Sequence, residues 1–188
     1  TEIPERINLN TASYDQVYKV FSSDSEYIMN YNTIFHNIFR EQLLEIFGEG
    51  VDISAQGNGS VIAKLSNNGK DLIISGTGNM IDTWTTSENA PWYNYRKEIK
   101  NVKLEEGVTN IGRLAFYECV ELVNVEITNS ITKIGHSAFF KCSSLKSIEI
   151  KGNLTSIGND AFYRCSSLEK IYVYASNSNY TADNGVLY

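Results

Sequence analysis

Several features are scarce in this chain of 188 residues, and each scarcity excludes a class of protein. There are only two prolines, so long proline-rich disordered linkers are not expected. Lys and Arg number 16 against 22 Asp and Glu, for a formal net charge of −6. This acidic balance argues against a general nucleic-acid binder, because phosphate binding needs a basic face. No apolar run reaches the roughly 18–20 residues that a membrane span needs. We therefore expect no membrane insertion.

Residue patterns typical of catalysis and metal binding are also scarce. The two histidines, His36 and His136, have no cysteine, histidine or carboxylate at a ligand spacing. The acidic residues are scattered over positions expected to be exposed, which does not indicate a carboxylate pair for acid–base chemistry. A site assembled in space, with His136 reaching Cys142 or a distant serine, stays open. The sequence predicts a protein that is not an enzyme, with no cofactor and no metal.

One unit of 23 residues is present three times between residues 108 and 176. The copies are VTNIGRLAFYECVELVNVEITNS, ITKIGHSAFFKCSSLKSIEIKGN and LTSIGNDAFYRCSSLEKIYVYAS. A fixed period with apolar residues in a fixed phase predicts a stacked solenoid, in which each repeat buries its apolar face against its neighbour. The columns that step by 23 residues are Ile111, Ile134 and Ile157; Phe116, Phe139 and Phe162; Cys119, Cys142 and Cys165; Leu122, Leu145 and Leu168; and Val125, Ile148 and Ile171.

The unit I-x-x-I-G-x-x-A-F-x-x-C-x-x-L-x-x-I-x-I closely resembles the BspA-type leucine-rich repeat of bacterial and protist surface proteins. The resemblance implies an α/β fold, a right-handed leucine-rich-repeat solenoid with a parallel β ladder. It also implies a cell-surface or secreted location and a role in adhesion and protein binding. A fold of this kind does not by itself identify the binding partner.

Residues 1–50 are predicted to form a helical hairpin that caps the N-terminal end of the solenoid. The first helix begins near Asn10 or Thr11 and runs to about Phe21, with apolar residues on one face. Ser23 followed by Glu26 is a capping-box pattern for a second helix, which a C′ glycine at position 48 would end. The alternative is a helix pair for partner binding or self-association.

Residues 51–107 are predicted to hold a β-hairpin and a degenerate first repeat. Alternating apolar residues flank Asn68-Gly69, a pair typical of a tight hairpin turn. A step of 23 residues back from the first full repeat reaches apolar residues, which are Tyr93, Ile99, Val102 and Leu104. Residues 108–188 then hold the three full repeats and a truncated terminal segment. We expect the chain to be a piece of a longer protein.

Inside the solenoid, each repeated position predicts a particular role. The phenylalanines form the spine of the core, and Tyr117, Phe140 and Tyr163 form a second, half-exposed column. The three cysteines are expected to be buried and reduced, because side chains that point the same way suit disulfide geometry poorly. Glycines 112, 135 and 158 are predicted to let the chain turn sharply.

The outward positions of the repeat strands are the candidate partner-binding site. Strands of successive repeats should pair in parallel, so outward side chains form straight rows. In a leucine-rich repeat this face is the usual binding surface, which the resemblance implies; the alternative is a solvated face without a ligand. Two exposed tyrosines on one strand favour a binding hot spot. The rows are Asn101, Asn124, Ser147 and Lys170; Lys103, Glu126, Glu149 and Tyr172; and Glu105, Thr128, Lys151 and Tyr174.

The candidate partner-binding residues are accordingly Asn124, Glu126, Ser147, Glu149, Lys170, Tyr172 and Tyr174. The leading hypothesis is a non-catalytic module that binds a protein or extracellular-matrix macromolecule through this face. The alternative is a structural or self-assembly module whose N-terminal helices and open C-terminal edge bind other copies, as a homo-oligomer, or other domains.

Overall fold

A computed structural model describes residues 48–188, except residues 67, 83, 184 and 185. The helical hairpin predicted for residues 1–50 lies outside the described residues, apart from its last three. Gly48 and Glu49 have helical backbone, and Gly50 has a φ of 101°. The glycine with the left-handed conformation typical of a helix end is therefore Gly50, and the prediction of Gly48 was wrong by two residues.

The predicted β-hairpin is present at the start of the described chain. Strands β1 (Val51–Asp52), β2 (Ser54–Ser66) and β3 (Asp71–Met80) pair antiparallel in that order. The turn between β2 and β3 contains Asn68 and Gly69, both with positive φ. The hairpin forms because apolar residues alternate along both strands, which gives the pair one buried face.

The repeat strands extend this hairpin into a parallel ladder. They are β4 (Asn101–Leu104), β6 (Asn124–Glu126), β8 (Ser147–Ile150) and β10 (Lys170–Val173). β3 pairs in parallel with β4, β4 with β6, and β8 with β10. Equivalent positions are 23 residues apart between β4 and β6 and between β8 and β10, as the repeat period predicts, and 30 residues apart between β3 and β4. The solenoid with parallel sheets is thus confirmed.

The ladder has one interruption that was not predicted. β6 ends the sheet that runs from β1 to β6, while β8 and β10 form a separate sheet. We call the boundary between β6 and β8 the seam. Continuous pairing would place Glu126 directly beside Glu149, and like charges directly opposite one another on paired strands are unfavourable. This repulsion is the physical reason that we assign to the seam.

A second parallel sheet lies at the start of each repeat. Its strands are β5 (Asn110–Ile111), β7 (Lys133–Ile134) and β9 (Ser156–Ile157), in that order. The terminal segment ends in a small antiparallel pair, β11 (Ala182–Asp183) and β12 (Val186–Leu187). Strands β5, β7 and β9 pair successive repeats at a second place in each repeat, with the same 23-residue step.

The segments that return from one sheet to the other are successions of turns. Two 3-10 helices, Ser87–Asn89 and Tyr93–Tyr95, precede the first full repeat. In the full repeats, backbone hydrogen bonds run from one return segment to the next, for example from Phe139 N to Ala161 O at 2.8 Å. Residues in the left-handed region recur at fixed repeat positions, and they are Leu114, Glu118, Ser137, Lys141, Asp160 and Arg164. The α component of the predicted α/β class rests mainly on residues outside the described part.

The phenylalanine spine is confirmed. The Phe116 and Phe139 ring centroids are 5.1 Å apart, and those of Phe139 and Phe162 are 5.5 Å apart. Phe116 and Phe139 are fully buried, whereas Phe162 is partly exposed. The second column of Tyr117, Phe140 and Tyr163 stacks beside it, with Tyr163 51% exposed. Stacked rings at these separations add to the stability that their buried area provides.

The spine begins at Trp92, which corrects the predicted phase of the degenerate repeat. Trp92 stacks on Phe116 with centroids 6.0 Å apart, and its Nε1 donates to Ala115 O at 2.8 Å. Tyr93, the predicted equivalent of Phe116, is half-buried, and the Arg96 guanidinium lies over its ring. An indole buried in a core needs an acceptor for its N–H, and this position supplies one.

Each full repeat has a glycine at the same position because the backbones of successive repeats approach closely there. We predicted that these glycines permit a sharp turn, and that reason was wrong. None of Gly112, Gly135 and Gly158 has a positive φ. A Cβ on Gly135 would meet the backbone of the previous repeat, at 2.6 Å from Arg113 N. A Cβ on Gly158 would be 2.5 Å from His136 N. Only glycine leaves room for the neighbouring backbone here.

The cysteine column is buried and reduced, as predicted. The Cys142 thiol donates to Phe116 O at 3.1 Å, and the Cys165 thiol donates to Phe139 O at 3.0 Å. Each thiol therefore helps to satisfy a carbonyl of the previous repeat, which an alanine would leave with fewer partners.

No helix within the described residues is long and apolar enough to span a membrane.

Candidate partner-binding site

The structure places all seven candidate residues on the outward side of the repeat strands. Each of them is exposed. The ladder sets Asn124 beside Asn101, Glu126 beside Lys103, Lys170 beside Ser147, and Tyr172 beside Glu149. The inward positions between them, such as Ile148 and Ile150 in β8, are buried. This alternation is what fixes the seven side chains on one face.

A groove of about 790 Å³ lies on this face and spans the seam. Four of the seven candidates line it, and these are Asn124, Glu126, Ser147 and Glu149. Lys170, Tyr172 and Tyr174 do not line it and lie on the strand, or just past the strand, that follows. Among the lining residues that the candidate set missed, those of the outward rows are Asn101, Lys103, Glu105, Thr128 and Lys151, and Glu106 and the exposed Val123 lie outside these rows.

A ladder of side-chain amides runs along the first outward row. Asn101 Nδ2 donates to Asp71 Oδ1 at 2.6 Å, and Asn124 Nδ2 donates to Asn101 Oδ1 at 2.7 Å. Every bond has the same direction, so the row ends with an acceptor. No residue in the described part of the chain donates to Asn124 Oδ1. This oxygen is an unused acceptor in the groove, next to the seam.

A compact polar cluster forms where the second and third rows meet on the far side of the seam. Lys151 Nζ donates to Glu149 Oε2 at 2.5 Å and to Tyr174 Oη at 2.8 Å. Tyr174 Oη in turn donates to Glu149 Oε2 at 3.1 Å, and Lys151 Nζ lies 4.0 Å from the Tyr174 ring centroid. The hydrogen bond from Lys151 is the main reason that the pKa of Glu149 is below its ordinary value. The hydrogen bonds to Lys151 and Glu149 thus fix the orientation of the Tyr174 side chain.

The carboxylates of the groove differ in their partners. Glu105 pairs with Lys103 at 3.5 Å, and Glu149 pairs with Lys151. Glu126 makes no salt bridge or hydrogen bond to any described residue. Since Glu126 is exposed on β6 at the edge of the seam, its charge is available to a partner.

The two tyrosines also differ. Tyr172 is 49% exposed and Tyr174 is 45% exposed. Tyr174 uses its hydroxyl and its ring in the cluster with Lys151 and Glu149, whereas Tyr172 makes no hydrogen bond or ring contact within the described chain. Tyr172 therefore presents more unused binding capacity than its neighbour.

The described residues contain no group of three His, Cys, Asp or Glu side chains that could hold a metal ion. The Nε2 atom of His136 lies 3.2 Å from the Ser137 hydroxyl, which belongs to the adjacent residue. Burial raises the pKa of the Cys119 thiol to about 12, which suppresses the reactive thiolate. The outward face presents hydrogen-bond donors, acceptors and aromatic rings.

Three crystal structures illustrate the similarity of the chain to solved proteins. A leucine-rich repeat protein from Eubacterium ventriosum is 27% identical, with 74% of this chain and 48% of that chain covered and a TM-score of 0.45. A leucine rich cell surface protein from Faecalibacterium prausnitzii is 32% identical over 51% of this chain and 24% of that chain, with a TM-score of 0.47. The T. pallidum leucine-rich repeat protein is 19% identical, covering 58% and 66%, with a TM-score of 0.36.

The chain spans about half the length of the first of these proteins and about a quarter of the second. No curated protein matches the sequence significantly. A family model described as "BspA type Leucine rich repeat region (6 copies)" matches residues 87–184, which is more than half of the chain. The matched range begins at the 3-10 helix before the spine and takes in all three full repeats. The chain belongs to the BspA-type leucine-rich-repeat family.

Proposed function

We propose that the chain is a non-catalytic adhesion or protein-binding module of a surface or secreted protein, and that it binds a macromolecular partner through the outward face of the repeat sheet. The observation that carries this proposal is the exposure of Tyr172 without a partner beside a groove lined by four other candidates. The surface location rests on membership of the BspA-type family. The partner class is a protein or an extracellular-matrix macromolecule.

The face contains side-chain types that are common in protein-binding sites. Tyrosine is enriched among residues that dominate binding energy, because a rigid ring buries a large area and loses little conformational freedom. Truncation of such a residue typically weakens binding by at least about 2 kcal/mol, which is about thirtyfold. The groove beside Tyr172 and Tyr174 adds polar side chains that can fix the orientation of a partner.

The test is a binding assay with a panel of purified matrix proteins and two matched variants. Tyr172→Ala removes a tyrosine from the sheet face, and Tyr163→Ala removes one of nearly equal exposure, 51%, from the column of return segments. We expect Tyr172→Ala to weaken binding of a panel member at least tenfold and Tyr163→Ala to leave it unchanged. Equal binding by both variants and the parent would exclude this face.

Self-assembly is the second candidate function. The observation in its favour is the outer edge of β10, which pairs only with β8 among the described strands and leaves Ile171 and Val173 half-buried. An unpaired edge of this kind is a ready site for another chain. Light scattering after size-exclusion chromatography at several concentrations distinguishes the two functions. A molar mass that stays monomeric over a hundredfold range of concentration would exclude self-assembly.

A further inference from the structure

The seam between β6 and β8 is the feature of the sheet face that the repeat period does not explain. Pairing is continuous from β1 to β6 and resumes between β8 and β10. The two acidic residues that would become neighbours there, Glu126 and Glu149, both line the groove. Their charges repel one another, and a positive charge placed between them would remove that repulsion.

Lys103 lies directly beside Glu126 in the ladder, but its ammonium group pairs with Glu105 and makes no ion pair with Glu126. Lys151 pairs with Glu149 and Tyr174. The carboxylate of Glu126 and Asn124 Oδ1 are left without donors from the described chain. The side of the seam formed by β6 therefore offers acceptors that a cationic donor group would satisfy.

An apolar surface lies next to these acceptors. Val123 is 37% exposed, one of the few large apolar side chains exposed in the described chain, and it lines the same groove. A long basic side chain has this mixed character, because a methylene stem covers apolar surface while the charged head reaches polar groups. An uncharged or acidic side chain would leave the Glu126 carboxylate unmatched.

From this charge complementarity we infer that the seam recognises an arginine or lysine side chain from an extended segment of the protein partner. The guanidinium or ammonium group lies between Glu126 and Glu149 and also donates to Asn124 Oδ1, and the stem packs on Val123. This inference deepens the proposed function and rests on it, since it names the partner chemistry for the same face. Arginine fits best, because its fork of donors can serve a carboxylate and an amide together.

The test uses the full 188-residue chain, labelled with ¹⁵N, and two short peptides. One is acetyl-Thr-Ser-Thr-Arg-Thr-Ser-Thr-amide, and the other carries citrulline, an uncharged isostere, at the central position. We expect the arginine peptide to shift the amide signals of Asn124, Glu126, Ser147 and Glu149. We expect the citrulline peptide to bind at least about fivefold more weakly, a difference of about 1 kcal/mol that is typical of one exposed ion pair.

Two variants that remove one charge each complete the design. Glu126→Gln should weaken the arginine peptide about fivefold. Glu121→Gln changes the same charge in the same repeat, at an exposed position outside the groove, and should have no effect. The difference between the two variants should shrink at 1 M salt, where exposed charges are screened. Equal binding of the two peptides, equal behaviour of the two variants, or no shift at the seam would overturn the inference.

The failure of this inference can be told apart from the failure of the proposed function. A matrix partner that loses affinity with Tyr172→Ala but binds Glu126→Gln as well as the parent would support the sheet-face function and overturn the cation site. The opposite result is also possible. If the arginine peptide shifts the amide signals at the seam but Tyr172→Ala does not change the affinity of the matrix partner, the cation site is supported and the tyrosine-centred function is not.

Discussion

Truncation of a phenylalanine in the middle of the spine should lower the free energy of unfolding far more than truncation of the phenylalanine at its end. Phe139 is fully buried and has a stacked ring on each side, at 5.1 and 5.5 Å. Replacing a buried phenylalanine by alanine typically costs about 3–5 kcal/mol, and each aromatic pair contributes about 0.5–1.5 kcal/mol beyond its buried area. We therefore expect Phe139→Ala to lower the free energy of unfolding by about 4–5 kcal/mol.

Phe162→Ala is the matched comparison. Phe162 is only partly buried and stacks on one described ring, that of Phe139. The loss of one pair instead of two, and of less buried area, predicts a destabilisation of about 2–3 kcal/mol.

Urea denaturation followed by tryptophan fluorescence measures both changes. The chain has two tryptophans, Trp84 and Trp92, and both are buried in the core that begins the repeats. Trp92 stacks directly on Phe116, so its emission reports unfolding of the repeat stack itself. If Phe162→Ala destabilises the chain as much as Phe139→Ala, or if Phe139→Ala costs less than about 1 kcal/mol, the continuous spine is wrong.

Three further predictions test separate contacts. Gly135→Ala should destabilise by about 1–3 kcal/mol, since the new Cβ would lie 2.6 Å from the backbone of the previous repeat; the control Gly152→Ala meets mainly the movable side chain of a serine and should cost less in the same urea assay. Lys151→Met should raise the pKa of Glu149 toward 4.5 in a carbon-detected NMR titration. Because the folded pKa is the lower one, the stability that this pair provides is present above about pH 4.5 and is lost as the pH falls through the folded pKa; a parent-variant gap that grows on acidification would contradict this. Glu126→Gln removes the repulsion from Glu149 without placing a second positive charge beside Lys103, so it should close the seam and slow amide exchange in β8; faster exchange would refute the assigned repulsion.

The sequence was sufficient to predict which side chains form the buried columns of the repeats. Phe116, Phe139 and Phe162 form one column because equal positions in equal units have equal surroundings, and the same holds for the three cysteines. The hairpin at Asn68-Gly69 was also predictable, because turn chemistry is local.

The first, diverged repeat was harder to predict because its landmarks are missing. A step of 23 residues correctly aligned Val102 with Val125, but it assigned Tyr93 to the spine in place of Trp92. The choice depends on which ring finds an acceptor in the core, and Ala115 O is visible only in three dimensions. The glycine column posed the same difficulty, because the sequence of one repeat does not show how closely the backbone of the neighbouring repeat approaches it.

The candidate site was predicted in outline. Alternation was enough to place all seven residues on the exposed face, and the step of 23 residues already brought Glu126 and Glu149 into one row. The period alone predicted a continuous ladder, however, and the seam that we assign to the repulsion of this pair interrupts it. The use of Tyr174 by Lys151 was likewise missed, although both stand in the third row.

The most direct test of the central claim is a map of the bound partner on the chain. A matrix protein that binds in the panel is added to the ¹⁵N-labelled chain, and the loss of amide signal is followed residue by residue. The account predicts that signals of β6, β8 and β10 are lost first and that those of Tyr117, Phe140 and Tyr163 persist. A footprint on the aromatic column, with the repeat strands unaffected, would contradict it.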